Sequence, residues 1–169
     1  MKNSVFHNPS GLDQEDGNFS TAYDMAILTS YAYKNEIFRK IIGTKSYKLT
    51  TNKNTYLWTN KHKLLKSYKY ATGGKTGFTE QARRTLITTA SKDSLNLVVV
   101  TLNDGNDWQD HINLLEYGFE NYQSYEVIKK GKLQIYDEVY YKDYDLYVKN
   151  SFSYAMTEEE SKQIMLKFE

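Results

Sequence analysis

No cysteine occurs in the 169 residues. A disulfide scaffold, a thiolate nucleophile and a cysteine-ligated zinc site are thereby excluded. An excess of one charge sign is also lacking: 22 Lys and Arg face 21 Asp and Glu, for a net charge of +1. That balance creates no overall field toward nucleic acid or an anionic membrane. Arginine stands only at Arg39, Arg83 and Arg84. No apolar run nears the length of a bilayer span; the longest is Leu95 to Leu102. The opening Met1-Lys2-Asn3-Ser4-Val5-Phe6-His7 has no apolar h-region, so the expectation is a chain with no signal peptide or membrane anchor of its own.

Aromatic residues are plentiful. They make up 15% of the chain, with 16 Tyr and 7 Phe, which argues against intrinsic disorder. The length suits one ordinary domain, or one core with a small appendage. Asn8-Pro9-Ser10-Gly11-Leu12 is turn chemistry, and residues 13–18 continue polar. A helix is predicted from Ser20 or Thr21, because Thr21 and Asp24 have capping-box spacing. Ala22, Met25, Ala26, Thr29 and Tyr33 would share one of its faces. A second helix is predicted over 36–42, with Ile37, Phe38 and Ile41 inward and Gly43 as C-cap. Residues 45–58 read as a hairpin around Asn52-Lys53-Asn54; the basic stretch 61–69 is ambiguous.

Two antiparallel strands are predicted at 85–91 and 95–102, joined at Lys92-Asp93-Ser94. The second is apolar on both faces and is expected at the centre of a sheet. Trp108, Ile112, Leu115 and Phe119 are spaced for one helical face, with Gly118 near its end. After Tyr122 the pattern shortens. Alternation at Leu133 and Ile135, and at Ile164, Leu166 and Phe168, suggests the start of a small β domain, separated by turns such as Lys130-Gly131-Lys132.

Several chemistries fail on their spacing. Gly74-Lys75-Thr76 invites a phosphate-loop reading, but Lys69 stands where the first glycine is needed, and the residues that follow read as strand rather than helix. His7, His62 and His111 form no His-x-x-x-His pair, which excludes a zinc protease of that type. Asp107, Asp110 and His111 cluster at a predicted helix start. Capping and dipole complementarity account for them better than a metal site does, and neither a metal nor a cofactor is expected. The tyrosines and lysines are spread along the chain and interleaved with acids, so core packing explains them better than a nucleic-acid or glycan surface.

Lys75-Thr76-Gly77 supports another reading. A strand-borne lysine and threonine can hold a terminal carboxylate by charge and hydrogen bond. A glycine without Cβ lets a substrate backbone approach the strand edge. The same triplet is the lysine-threonine-glycine box of active-site serine penicillin-recognising enzymes. Its flanks make the match specific: Asn8-Pro9-Ser10-Gly11-Leu12, then Ser20-Thr21-Ala22-Tyr23-Asp24-Met25-Ala26, then Gly74-Lys75-Thr76-Gly77-Phe78-Thr79, then the apolar strand at 95–102. In this order they closely resemble the serine-type D-alanyl-D-alanine carboxypeptidases, the low-molecular-mass penicillin-binding proteins.

The resemblance implies an α+β fold of the penicillin-binding-protein and β-lactamase-like type, an antiparallel sheet with packed helices. Residues 1–123 would be the later part of the catalytic domain, and residues 124–169 the start of an incomplete C-terminal β domain. It implies removal of the terminal D-alanine from peptidoglycan pentapeptide stems through an acyl-enzyme, with β-lactams as substrate mimics and an extracytoplasmic place at the cell wall. By position, Lys75 and Thr76 would bind the substrate carboxylate and Gly77 would allow close approach. Phe78 and Thr79 would continue the rim. A non-catalytic module that binds peptidoglycan stems or a partner protein is the alternative.

The family also needs Ser-x-x-Lys, for nucleophile and base, and Ser-x-Asn or its equivalent. No serine in these 169 residues has lysine three positions later. Thr50 to Lys53 and Thr72 to Lys75 have the spacing with threonine. The first lies in the predicted hairpin, and the second overlaps the box. Ser94-Leu95-Asn96 follows the box, where the family order requires it to precede. The expectation is therefore a truncated chain that forms no acyl-enzyme alone. In the family, N-terminal strands pair beside the 95–102 strand, so that strand's edge would be uncovered. The isolated chain is expected to be poorly soluble or to self-associate. Sedimentation velocity with thermal melting checks this: a monodisperse, cooperatively melting monomer contradicts it.

Overall fold

The computed structural model describes residues 1–12, 17–133 and 144–165. The chain divides into two compact units, Met1–Lys92 with Asn96–Gly118, and Asp93–Leu95 with Phe119–Glu169.

In the first unit the predicted N-terminal turn forms. The Asn8 side chain accepts from the Gly11 N–H at 2.9 Å and from the Ser10 hydroxyl at 2.8 Å, and Val5 and Phe19 form a short antiparallel bridge. Of the polar stretch after this turn, residues 13–16 lie outside the described residues. Helix α1 (Ala22–Ala32) starts where predicted, with Thr21 Oγ1 accepting from the Asp24 N–H at 3.1 Å. Only half of the capping box exists. The Asp24 carboxylate accepts instead from the Asn3 N–H at 2.8 Å and the Ser4 hydroxyl at 2.7 Å, which ties the N-terminal segment to the helix. These bonds favour the ionised form and hold Asp24 below its ordinary value.

Helix α2 (Glu36–Gly43) is capped by Asn35, whose side chain accepts from the Ile37 and Phe38 N–H groups. Its inward face is not the predicted one. Ile37 and Ile41 are 69% and 66% exposed, Phe38 is half-buried, and Ile42 makes the close contact. Gly43 does not act as a left-handed C-cap. It ends the helix, and a Cβ there would meet the Thr72 carbonyl oxygen at 2.5 Å, so the glycine serves close approach instead.

Strands β1 (Ser46–Thr50) and β2 (Thr55–Thr59) form the predicted hairpin. Near-parallel rings line one side, with Tyr47 and Tyr56 flanking Trp58 at 6.2 and 5.5 Å. The ambiguous basic stretch contains a short helix, α3 (Leu64–Ser67), which buries Leu64 and Leu65. Strands β3 (Ala71–Thr79), β4 (Arg83–Lys92) and β5 (Leu95–Leu102) form a sheet in the order β3-β4-β5. Asp93 and Ser94, both with positive φ, make the two-residue turn between β4 and β5, a geometry that matches strand twist.

The expectation that 95–102 would be central is corrected. Among the described residues β4 is the middle strand, β5 lies at a margin, and its Leu97–Thr101 segment is half-buried. Helix α4 (Asp107–Asn121) buries Leu115 and Phe119 and half-buries Trp108 and Ile112. Leu64, Leu65, Tyr68, Leu86, Ala90 and Leu115 form the apolar core of the first unit.

In the second unit, β6 (Gln123–Ile128) pairs antiparallel with β9 (Phe152–Met156), and β7 (Gly131–Leu133) pairs with β8 (Leu146–Val148). The predicted alternation at Ile135, Leu166 and Phe168 lies outside the described residues. Ile164 is in no strand. It follows a short helix, α5 (Glu158–Ser161), that the sequence reading missed although Thr157 and Glu160 form a complete capping box. Among the described residues no helix is long and apolar enough to cross a membrane.

The contact of α2 with β3 makes a direct prediction. A Cβ on Gly73 would meet Ile42 Cγ1 at 2.5 Å, whereas Gly105 faces open space. Gly73→Ala should lower unfolding stability by about 1–3 kcal/mol through overpacking. Gly105→Ala should stay within about 0.5 kcal/mol. Denaturant unfolding of both variants measures the difference.

Candidate active-site strand

Strand β3 carries the triplet and lies at the margin of its sheet among the described residues. Its register with β4 sets Gly74 opposite Thr88, Lys75 opposite Ile87, Thr76 opposite Leu86 and Gly77 opposite Thr85. Lys75 is exposed, and its ammonium donates to the Thr76 carbonyl. Thr76 and Gly77 are half-buried. A Cβ on Gly77 would collide with the Thr85 hydroxyl, so this glycine is needed within the sheet as well as for any ligand. Phe78 is 66% exposed. Thr79 Oγ1 accepts from the Ala82 N–H at 3.0 Å and so braces the turn into β4. The strand after the triplet leads into β4 rather than a helix, the geometry on which the phosphate-loop reading fails.

The start of β3 is held from behind. The Tyr33 hydroxyl donates to Thr72 Oγ1, which donates to Thr89 Oγ1, each at 2.9 Å. A Cβ on Gly74 would collide with the Ile87 carbonyl oxygen and would lie 2.5 Å from His62 Nε2. His62 is itself 1% exposed, and its Nε2 lies 3.0 Å from both the Ile87 carbonyl oxygen and Thr88 Oγ1. A carbonyl only accepts, so this nitrogen carries a proton. Thr88 then turns its O–H to Nδ1 of fully buried His111, at 2.7 Å, and His111 Nε2–H donates to Thr101 Oγ1 at 3.1 Å. One directed chain of hydrogen bonds thus crosses the core, with both imidazoles neutral.

Burial pushes both histidines below the ordinary 6.5. His111 is lowered to about 4, by burial first and then by the nearby His62, with Asp107 opposing. Asp107 does not act as a side-chain cap. Its buried carboxylate takes a two-pronged bond from Arg84, at 3.1 Å from Nε and 2.5 Å from an Nη nitrogen. Asp110 accepts from the Asn106 amide at 3.1 Å. Lys63 and Arg84 both lie over the Trp108 ring, and His62 meets that ring edge-on at 5.4 Å. No group of three acidic, histidine or cysteine side chains placed to hold a metal occurs among the described residues. Ser94 stands in the β4–β5 turn with φ of 67°, and Asn96 is exposed on β5.

The family profile described as D-alanyl-D-alanine carboxypeptidase matches residues 1–106. This chain belongs to that family. Its relatives include the D-alanyl-D-alanine carboxypeptidase DacF of Bacillus subtilis, 31% identical over 78% of this chain and 35% of the relative. DacB2 of Mycobacterium tuberculosis is 32% identical over 66% of this chain and 40% of the relative. Among solved structures, a D-alanyl-D-alanine carboxypeptidase from Mycobacterium tuberculosis H37Rv superposes with a TM-score of 0.65 and 29% identity, covering 70% of this chain and 48% of that one. Penicillin binding protein 5 from Haemophilus influenzae gives 0.75 and 26%, covering 96% and 48%. The carboxypeptidase-family chain therefore spans under half the length of these relatives. The penicillin-binding-protein-like α+β fold follows from the same neighbours.

By spacing alone His62 and His111 are unrelated. His62 and His111 are 49 positions apart, and only the folded sheet shows that Thr88 joins them. The run Leu86-Ile87-Thr88-Thr89 sets two hydroxyls next to apolar residues, but nothing in it points to either histidine.

Neutral buried histidines give this chain a defined acid sensitivity. Both side chains bind protons more weakly folded than unfolded, so the unfolded state gains protons as pH falls. This stability is fully present above about pH 6.5. It declines below that, and the His111 share stops declining below about pH 4. That share is on the order of 3 kcal/mol. Asp24 adds its loss at lower pH, near and below 3.8. Urea unfolding at pH 7.5, 5.5 and 4 should show the decline, and a flat profile would contradict the neutral assignment.

Proposed function

We propose that this chain supplies the carboxylate-gripping strand of a serine-type D-alanyl-D-alanine carboxypeptidase that acts on peptidoglycan stems. One observation carries the reading: among the described residues Lys75, Thr76 and Gly77 stand on a marginal strand of the sheet, with the lysine exposed, where an extended peptide could pair alongside. The terminal carboxylate of a D-Ala-D-Ala stem would replace the Thr76 carbonyl as the partner of the Lys75 ammonium. The Thr76 hydroxyl would donate a second, charge-assisted bond. A β-lactam carries a comparable carboxylate and would be held by the same two groups.

In the complete reaction a serine oxygen attacks the carbonyl of the penultimate D-alanine, the terminal D-alanine leaves with a proton on its amine, and water releases the acyl group. These 169 residues contain no Ser-x-x-Lys, so the nucleophile and base would come from residues outside them. The site of action would be extracytoplasmic, at the cell wall. Without that nucleophile the grip would only orient a ligand. That gap favours a second reading, a stem-binding module without chemistry.

Two measurements test this. The 169-residue chain should bind an N-acetyl-D-Ala-D-Ala peptide weakly and saturably, and Lys75→Ala should weaken binding by about tenfold or more. Lys75 is exposed, so the same variant should unfold within about 0.5 kcal/mol of the parent. A fluorescent penicillin should not label the chain stoichiometrically. Covalent labelling would overturn the external-nucleophile reading, and Lys75-independent binding would overturn the grip itself.

A further inference from the structure

His62 takes no part in the proposed grip, yet it is packed directly behind it. The two residues it bonds, Ile87 and Thr88, stand opposite Lys75 and Gly74 in the β3–β4 register. The ring fits here because Gly74 has no side chain: a Cβ there would lie 2.5 Å from His62 Nε2 and would also collide with the Ile87 carbonyl oxygen. The loop carrying His62 is anchored in turn. The His62 N–H donates to Asn60 Oδ1 at 2.9 Å, and the Asn60 amide donates to the Thr44 carbonyl at 3.1 Å, at the end of α2. The edge contact with Trp108 supports the ring from another side.

We infer that His62 is a positioning residue for the ligand-gripping strand: its Nε2–H, donated to the Ile87 carbonyl in the space left by Gly74, fixes the height and register of Lys75 and Thr76 at the sheet margin. The inference rests on the reading of Lys75 and Thr76 as a carboxylate grip. A marginal strand is paired on one side only, so its position depends on what holds it from behind. The contacts at Gly43 and Gly73 secure the beginning of β3, and His62 secures the residue next to Lys75. A two-point grip on one carboxylate needs both donors placed within about 0.5 Å. Loss of the histidine bond would therefore act on affinity rather than only on stability.

The test uses the 169-residue chain and calorimetric or NMR titration with N-acetyl-D-Ala-D-Ala. His62→Phe keeps the bulk and removes the donor, and should weaken binding about tenfold or more. His62→Gln restores an N–H donor and should recover affinity to within about threefold of the parent. Leu115→Val, a buried change on α4, is the control for destabilisation alone and should leave affinity unchanged. Should His62→Phe fail to fold, His62→Leu takes its place: it also removes the donor and should weaken binding comparably. Unchanged affinity in His62→Phe, or in His62→Leu as its replacement, while Lys75→Ala loses binding would overturn the positioning role and leave the grip standing. Equal losses in His62→Phe and Leu115→Val would reduce His62 to a core residue and also overturn it. If the parent fails to bind, or Lys75→Ala binds like the parent, the reading of the strand fails and this inference fails with it.

Discussion

The structure depends on the bond from His62 to the Ile87 carbonyl and the Thr88 hydroxyl. A polar ring buried to 1% exposure is tolerated only if its donor is satisfied. Here the donor is satisfied by β4, the strand that pairs with the candidate active-site strand. From there the order passes through Thr88 to His111 and Thr101, so three elements, the loop before α3, the sheet and α4, share one polar chain. Removal of the Thr88 hydroxyl would leave His62 with the Ile87 carbonyl alone and His111 Nδ1 buried without a donor, which is costlier than the loss of one bond.

The same contact explains the two consecutive glycines before Lys75. Gly73 makes room for Ile42 and Gly74 for His62, and Gly43 lets the Thr72 carbonyl approach α2. Strand β3 is thus pressed close to its supports at three points in its first half. Its second half, with Lys75 exposed and Thr76 half-buried, is left open. A marginal strand packed closely behind, with its lysine exposed, suits recognition of a short extended peptide, because little ordering remains to be done on binding.

Much of this was legible in the sequence. Thr21 announced the start of α1, the stretch 36–42 reads as α2, the Asn52-Lys53-Asn54 turn announced the first hairpin, and the triplet with its flanks announced the family. Local chemistry decides each of these. The misreadings fall where tertiary placement decides. Ile37 and Ile41 look like core and are exposed, and Gly43 looks like a cap and is a contact point. The 95–102 strand looks central and is marginal among the described residues. The histidine chain could not be read at all, because no spacing rule links positions 62, 88, 101 and 111. Capping the Asp107 cluster was half right: acids occupy the first turn of α4, but the Asp107 carboxylate is claimed by Arg84 across the fold.

The central claim is that the margin of β3 recognises the carboxylate end of a D-Ala-D-Ala peptide. Its most direct test is a pair of amide NMR titrations of the uniformly 15N-labelled chain, one with N-acetyl-D-Ala-D-Ala and one with its L,L stereoisomer. The account predicts saturable shifts centred on Lys75, Thr76 and Gly77 for the D,D peptide and much weaker ones for the L,L peptide. Shifts centred elsewhere, or equal for the two isomers, would contradict it.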